Sequence, residues 1–166
     1  RIVGLKYFNV YGPNEYHKGR MASMILKMTA IAKEDGIIKL FRSNHPKYSD
    51  GEQMRDFVYV KDVAKITCQF VLDELWQGVH GVFNVGLGKA ITWNKLAELL
   101  FQVLKKPTNI SYIDMPQDLH KQYQNFTKAN MQKLFSLPAQ EKLIMTPPEE
   151  GVREYVQEYL LQEERW

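Results

Sequence analysis

Short apolar runs alternate with segments of helical period along this chain, and the alternation leaves few architectures open to it. Residues 2–9 read as an apolar strand, closed by the turn signal Gly12-Pro13. Met21, Met24, Ile25, Met28 and Ile31 follow at helical spacing, a stripe expected to face the core, and Asp35-Gly36 ends that helix. Residues 37–41 and 57–60 read as short strands on either side of a polar loop, 42–54, rich in turn formers. A helix is expected from about Asp62, with Val63, Ile66, Phe70 and Val71 on its apolar side, followed by a buried strand over 81–86. Thr92 is placed to cap a helix whose Leu96, Leu99, Leu100 and Val103 share a face. Residues 110–113 read as a strand, and Thr127 as the cap of a short helix carrying Met131 and Leu134. Thr146-Pro147-Pro148-Glu149 has the pattern of a capping box with proline in the first turn. Interleaved strands and helices place the chain in the α/β class.

The 166 residues suffice for one domain, taken as 1–166. Lys and Arg number 22 against 19 for Asp and Glu, a net charge of +3 without any dense basic run. That balance argues against a nucleic-acid partner and is compatible with a few cations aimed at an anionic small molecule. The single cysteine, Cys68, cannot form an intrachain disulfide; it falls in a helical apolar pattern and is expected to be a packed core thiol in a reducing cytosol. No apolar run approaches the roughly 20 residues of a membrane span, so no membrane partner is expected. His17, His45, His80 and His120 are scattered, and no metal-ligand spacing is present. The chain opens at Arg1 straight into strand, and a strand needs neighbours for its backbone groups. The expectation is that part of the sheet lies in an N-terminal domain outside this sequence.

Three stretches carry a resemblance. Tyr7-Phe8-Asn9-Val10-Tyr11-Gly12-Pro13 resembles the strand-to-loop segment that follows the Tyr-x-x-x-Lys helix of extended short-chain dehydrogenases. Arg55-Asp56-Phe57-Val58-Tyr59-Val60-Lys61-Asp62-Val63-Ala64 resembles the Arg-Asp-Phe-x-x-Val-x-Asp-x-Ala signature of that class, and Phe83-Asn84-Val85-Gly86-Leu87-Gly88 its Asn-Val-Gly-x-Gly segment. Within the class, His17-Lys18-Gly19 followed by Met21-Ala22-Ser23, and Tyr123-Gln124-Asn125-Phe126-Thr127, are similar to segments of the ADP-heptose 6-epimerase family. The resemblance implies the C-terminal, substrate-binding part of a Rossmann-type epimerase. A few of its strands would belong to a parallel sheet completed by an N-terminal dinucleotide-binding domain. Neither the glycine-rich pyrophosphate turn nor the Tyr-x-x-x-Lys pair of the class occurs here, so the chain alone is expected to be inactive.

The resemblance also implies chemistry. Such enzymes are thought to move a hydride from the heptose C6″ to NADP and return it to the other face, in a pathway that supplies lipopolysaccharide inner core. They are cytoplasmic homo-oligomers. Lys18 matches an acid/base that also lies near the cofactor, and Val10 matches a second cofactor contact. Asn9, Arg20, Lys27, Arg55 and Tyr123 match substrate contacts, and Phe41, Arg42, Ser43 and Asn44 match the segment along the adenine and ribose side. Arg20 and Lys27 replace a serine and a histidine of the enterobacterial form. Each position also has a plainer reading. Lys18 and Tyr123 suit a solvated loop, Val10 and Phe41 suit packing, and Asn9 suits its own turn. Arg55 carries the sharper case, because a guanidinium grips a pyrophosphate bidentately, against a surface salt bridge to Asp56. Other nucleotide-sugar 4-epimerases or 4,6-dehydratases, and a non-catalytic nucleotide-sugar binding module, remain open beside this reading.

Overall fold

The computed structural model describes residues 2–72, 74–138 and 143–162. The strands are β1 (Val3–Tyr7), β2 (Asn9–Tyr11), β3 (Ile38–Phe41), β4 (Met54–Tyr59), β5 (Gly81–Val85), β6 (Ala90–Thr92) and β7 (Ile110–Ile113). The α-helices are α1 (Met24–Glu34), α2 (Val60–Leu72), α3 (Trp93–Val103), α4 (Gln117–His120), α5 (Gln132–Phe135) and α6 (Pro148–Glu154). A 3₁₀ segment, Tyr16–Met21, precedes α1, another spans Glu74–Trp76, and a π-helical segment, Tyr155–Leu160, continues α6. The strands form small sheets: β1 pairs parallel with β5, β2 parallel with β4, β4 antiparallel with β6, and β3 parallel with β7. Parallel pairing across long helical connections is the α/β arrangement expected from the alternation.

Strand β4 divides the interior. Successive side chains of a strand point to opposite faces, so Phe57 and Tyr59 enter one core and Val58 the other. The first core packs α1, α3 and α6 through Ile25, Met28, Leu96, Leu100, Val152 and Tyr155. The second gathers Ile66 and Phe70 of α2, Trp76, Phe83 and Val85 of β5, Met131, and Leu134 of α5. Leu96 and Leu100 are wholly buried, each contributing about 1.5–3 kcal/mol relative to exposure.

Several local expectations are corrected. The strand over 2–9 breaks at Phe8 into β1 and β2, which join different sheets. The opening strand has a neighbour in this chain, since β5 pairs with β1 from Val3↔Gly81 to Tyr7↔Val85. The methionine stripe is only partly core: Met28 is buried, whereas Met21 is 85% exposed and Met24 and Ile31 also face outward. The helix begins at Met24 because Ser23 caps it, accepting from the Leu26 amide at 3.3 Å. Met21 is left in the 3₁₀ segment, which Gly19 interrupts with φ 50° and ψ −115°.

Cys68 is exposed rather than packed. It sits two positions from Ile66, on the opposite side of α2 from the stripe of Val63, Ile66 and Phe70. Val71 lies one residue, about 100° of turn, past Phe70 and is likewise outside. Val60 starts α2 instead of ending β4, and β6 was not foreseen. In β5 only Phe83 and Val85 are buried, and Val82 is exposed. Thr127 caps no helix; its Oγ1 meets the Asp56 amide instead, at 3.4 Å. Thr146 gives no cap to α6, because its amide and hydroxyl both donate to buried Asp62, at 2.7 and 2.9 Å. Proline does occupy the first position of that helix.

Candidate active site

An open pocket of about 310 Å³ lies between Met24, Lys39, Leu40, Phe41, Trp93, Ile113 and Tyr123. Phe41 ends β3, Ile113 ends β7 and Trp93 starts α3, so three element termini converge on it. Phe41 meets Tyr123 edge-on with ring centroids 6.1 Å apart. Trp93 Nε1 donates to the Tyr123 hydroxyl at 3.0 Å, which fixes both rings at the rim.

Behind these rings sits Arg55. Its guanidinium carbon lies 5.0 Å from the Tyr123 ring and 5.7 Å from the Trp93 ring, within cation–π range. Nη1 donates to the Met54 carbonyl at 2.9 Å, and the residue is 9% exposed. Burial pushes the Arg55 pKa down from its ordinary value, partly opposed by Tyr123; burial likewise raises the Tyr123 phenol, with Arg55 and Trp93 opposing. Among the described residues no carboxylate pairs with Arg55. A buried cation with spare N–H donors and no counter-charge suits an anionic ligand.

The plainer alternative for Arg55, a salt bridge to Asp56, does not form, because Asp56 is otherwise engaged. It is 0% exposed, and its carboxylate accepts from the amides of Leu87 at 2.7 Å, Gly88 at 2.9 Å and Ala129 at 2.9 Å. This residue therefore ties β4 to the turn after β5 and to the segment before α5. The same bonds answer whether Gly86-Leu87-Gly88 can hold the pyrophosphate of a dinucleotide. The Gly86 amide meets the Met131 sulfur at 3.3 Å, and the next two serve Asp56. None of the three is free for a phosphate, so this turn is not a pyrophosphate cradle.

The loop 42–54 is built rather than slack. Arg42 pairs with Asp50 and Asp114, both at 3.3 Å. Ser43 donates its amide to Asp50 at 2.8 Å and its hydroxyl to the His45 carbonyl at 2.9 Å, while Asn44 Nδ2 donates to the His120 carbonyl at 3.2 Å. Asn94, the residue after Trp93, donates to the Asp50 carbonyl at 3.0 Å and to Glu52 at 2.6 Å. Gly51 must be glycine there: its φ is +73°, and a Cβ would stand 2.1 Å from Asn94 Oδ1.

The remaining candidates lie elsewhere. Asn9 lines a separate cleft with Lys6, Tyr7, Phe8, Gln124 and Thr127, and its Nδ2 donates to the Asp56 carbonyl at 2.9 Å. Val10 pairs with Val58 in β4 and packs on the second core. Lys18 and Arg20 are exposed on the 3₁₀ segment, and the Lys18 ammonium makes no ion pair among the described residues. Lys27 Nζ reaches back to the Arg20 carbonyl at 2.7 Å, binding that segment to α1. The structure thus gathers Phe41 and Tyr123 at one pocket with Arg55 behind its rings, leaves Lys18, Arg20 and Lys27 on the loop before and within α1, and puts Asn9 in a third place. Sequence reasoning missed Trp93, which shares the helical stripe of Leu96 and Leu100 and so reads as core. It also missed Met24, and it gave Asp56 no role beyond pairing.

Comparison with known proteins gives a consistent result. The profile of the NAD dependent epimerase/dehydratase family matches residues 1–86. The ADP-L-glycero-D-manno-heptose-6-epimerase of Nitratidesulfovibrio vulgaris is 50% identical over 159 residues, covering 96% of this chain and 48% of that protein. The Fusobacterium nucleatum protein of the same name is 43% identical, covering 98% and 49%. The crystal structure of the Helicobacter pylori ADP-L-glycero-D-manno-heptose-6-epimerase superposes with TM-score 0.73 at 30% identity, over 94% of this chain and 43% of that one. A Thermotoga maritima UDP-glucose 4-epimerase with UDP-glucose superposes with TM-score 0.70 at 26% identity, over 98% and 47%. The chain spans about half the length of the curated relatives it matches. Its α/β architecture resembles the C-terminal part of extended short-chain dehydrogenase-type epimerases.

Proposed function

The chain belongs to the NAD-dependent epimerase/dehydratase family, and from that premise we propose that it is the substrate-binding half of an epimerase acting at C6″ of ADP-glycero-manno-heptose. The carrying observation is the buried guanidinium of Arg55, without a carboxylate partner among the described residues and clasped by Trp93 and Tyr123 beside an open aromatic pocket. A flat, apolar rim next to a desolvated cation matches a nucleoside diphosphate: the base lies against Phe41 and Tyr123, and the diphosphate meets Arg55. The relatives at 43–50% identity named above support the heptose reading over other nucleotide sugars.

NADP, when bound, takes up and returns a hydride. In this reading the dinucleotide is held chiefly by an N-terminal Rossmann domain, with Val10 and Lys18 along its nicotinamide flank. As the neutral amine Lys18 receives the proton of the sugar hydroxyl being oxidised, and as the ammonium it gives that proton back when the ketone is reduced. It can do so because its side chain makes no ion pair among the described residues and stands on a turn whose backbone is otherwise fixed. Asn9, Arg20 and Lys27 contact the sugar and phosphates, while Arg42, Ser43 and Asn44 shape the nucleoside side. The full-length enzyme is a cytoplasmic homo-oligomer in lipopolysaccharide precursor synthesis, and this half alone does not turn over.

The test is made on the full-length protein. Isothermal titration with ADP and with UDP should show preference for ADP, and Arg55→Ala should weaken the binding of both. Lys18→Ala should lower turnover of ADP-heptose at least a hundredfold while ADP binding persists. Preference for UDP would transfer the chain to the 4-epimerases, and full turnover by Lys18→Ala would remove Lys18 from the chemistry.

A further inference from the structure

The turn that carries Lys18 is held by one buried carboxylate. Glu15 is 2% exposed, although it precedes a run of exposed polar residues. Its carbonyl accepts from the Lys18 amide at 3.0 Å. Its carboxylate accepts from the Ser23 amide and the Ser23 hydroxyl, both at 2.6 Å, and from the Tyr155 hydroxyl at 2.9 Å. Ser23 is also the cap of α1, so a single side chain closes the loop 15–23 and joins it to the helix that follows.

The third arm comes from far along the chain. Tyr155 is wholly buried and opens the π-helical segment Tyr155–Leu160, a helix type frequent at functional sites. A plain surface loop would need no such anchor. An ionised carboxylate buried with no cation among its bonding partners is costly unless its lone pairs are filled. Here three donors fill them, and all of that geometry converges on the segment bearing Lys18 and Arg20.

We infer that Glu15 is the positioning residue for Lys18, fixing its turn to α1 and, through Tyr155, to the C-terminal helix. This rests on the reading of Lys18 as the proton-transfer group. Glu15 does not touch the sugar; it acts by keeping the ammonium where that proton is exchanged. Displacements near one ångström at such a group cost roughly a hundredfold in rate.

The experiment uses the full-length enzyme with Glu15→Gln, Tyr155→Phe, Lys18→Ala and the double variant Glu15→Gln/Lys18→Ala. Tyr155→Phe removes one hydroxyl and keeps the ring, so it guards against simple unfolding. Expected are a fall in kcat of roughly ten- to a hundredfold for Glu15→Gln and several-fold for Tyr155→Phe. The ADP dissociation constant should change far less than kcat in both, because the aromatic pocket and Arg55 are untouched. In the Lys18→Ala background Glu15→Gln should lower residual turnover no further, the non-additivity of residues acting as a unit. Amide hydrogen exchange over 16–22 should speed up in both Glu15→Gln and Tyr155→Phe. An equal loss from Glu15→Gln with and without Lys18, or unchanged exchange over 16–22, overturns the proposal. Wild-type turnover by Lys18→Ala with accelerated exchange in Tyr155→Phe sinks the Lys18 reading, and the catalytic part of this inference with it, and leaves the tether standing.

Discussion

Replacing Asp56 by asparagine should destabilise the protein by about 2.5–6 kcal/mol, for reasons that can be worked bond by bond. Oδ2 of Asp56 accepts from Gly88 and Ala129, and Oδ1 accepts from Leu87. Asparagine in its better orientation keeps its oxygen on the first two amides and turns Nδ2 toward the third. A donor then faces a donor. The loss is one hydrogen bond to a charged group, worth about 1.5–3 kcal/mol, and the part-buried Leu87 N–H is left without that acceptor at about 1–3 kcal/mol more. With about 2–4 °C lost per kcal/mol for a domain of this size, the melting temperature should fall by roughly 10 °C. Asp56→Ala strips all three amides at once and should cost more. The assay is urea denaturation followed by circular dichroism, with wild type and both variants in parallel. A loss below about 1 kcal/mol for asparagine, or equal losses for asparagine and alanine, would refute the argument that the three amides define this residue.

Other outcomes follow from the same geometry. Trp93→Phe keeps a ring at the pocket but loses the donor to Tyr123, so ADP affinity should weaken about three- to tenfold; Tyr123→Phe cuts the same bond, and titration calorimetry should find the double variant no worse than either single one. Gly151→Ala places a Cβ 2.3 Å from the Tyr11 hydroxyl and should cost about 1–3 kcal/mol despite the better helix propensity of alanine. The Tyr11 hydroxyl is buried without a partner among the described residues, so Tyr11→Phe should be nearly neutral alone and should relieve that penalty in thermal melts. Burial first, then nearby carboxylates, raises the pKa of Tyr11, Tyr59 and Tyr155 above the ordinary 10.0. Because the folded values are raised, the stability linked to these phenols is complete below pH 10 and is lost as pH rises beyond it. Alkaline titration at 295 nm should therefore show these phenols ionising only with unfolding, and early ionisation of all nine tyrosines would contradict their burial.

Periodicity in the sequence decided the class and most helices of this protein, because a helix or strand that buries one face must repeat its apolar residues at the matching interval. The stripe Leu96, Leu99, Leu100 and Val103 with its Thr92 cap appears as read, the cap accepting from Lys95 at 3.0 Å. The Arg-Asp-Phe and Asn-Val-Gly stretches pointed to the family that the profile match confirms. Local pattern misled where a distant partner outbid the neighbour. Thr146 and Thr127 look like helix caps, yet Asp62 and Asp56 claim them from 84 and 71 residues away. Cys68 and Met21 look like core, but burial depends on which side of an element finds a partner, and none covers these among the described residues. The grouping of Phe41, Arg55, Trp93 and Tyr123 joins residues of separate elements, and the hold of Glu15 on Tyr155 joins residues 140 apart in the chain. A one-dimensional pattern records spacing along a helix or strand; it carries no record of which elements meet, and only packing in three dimensions supplies that.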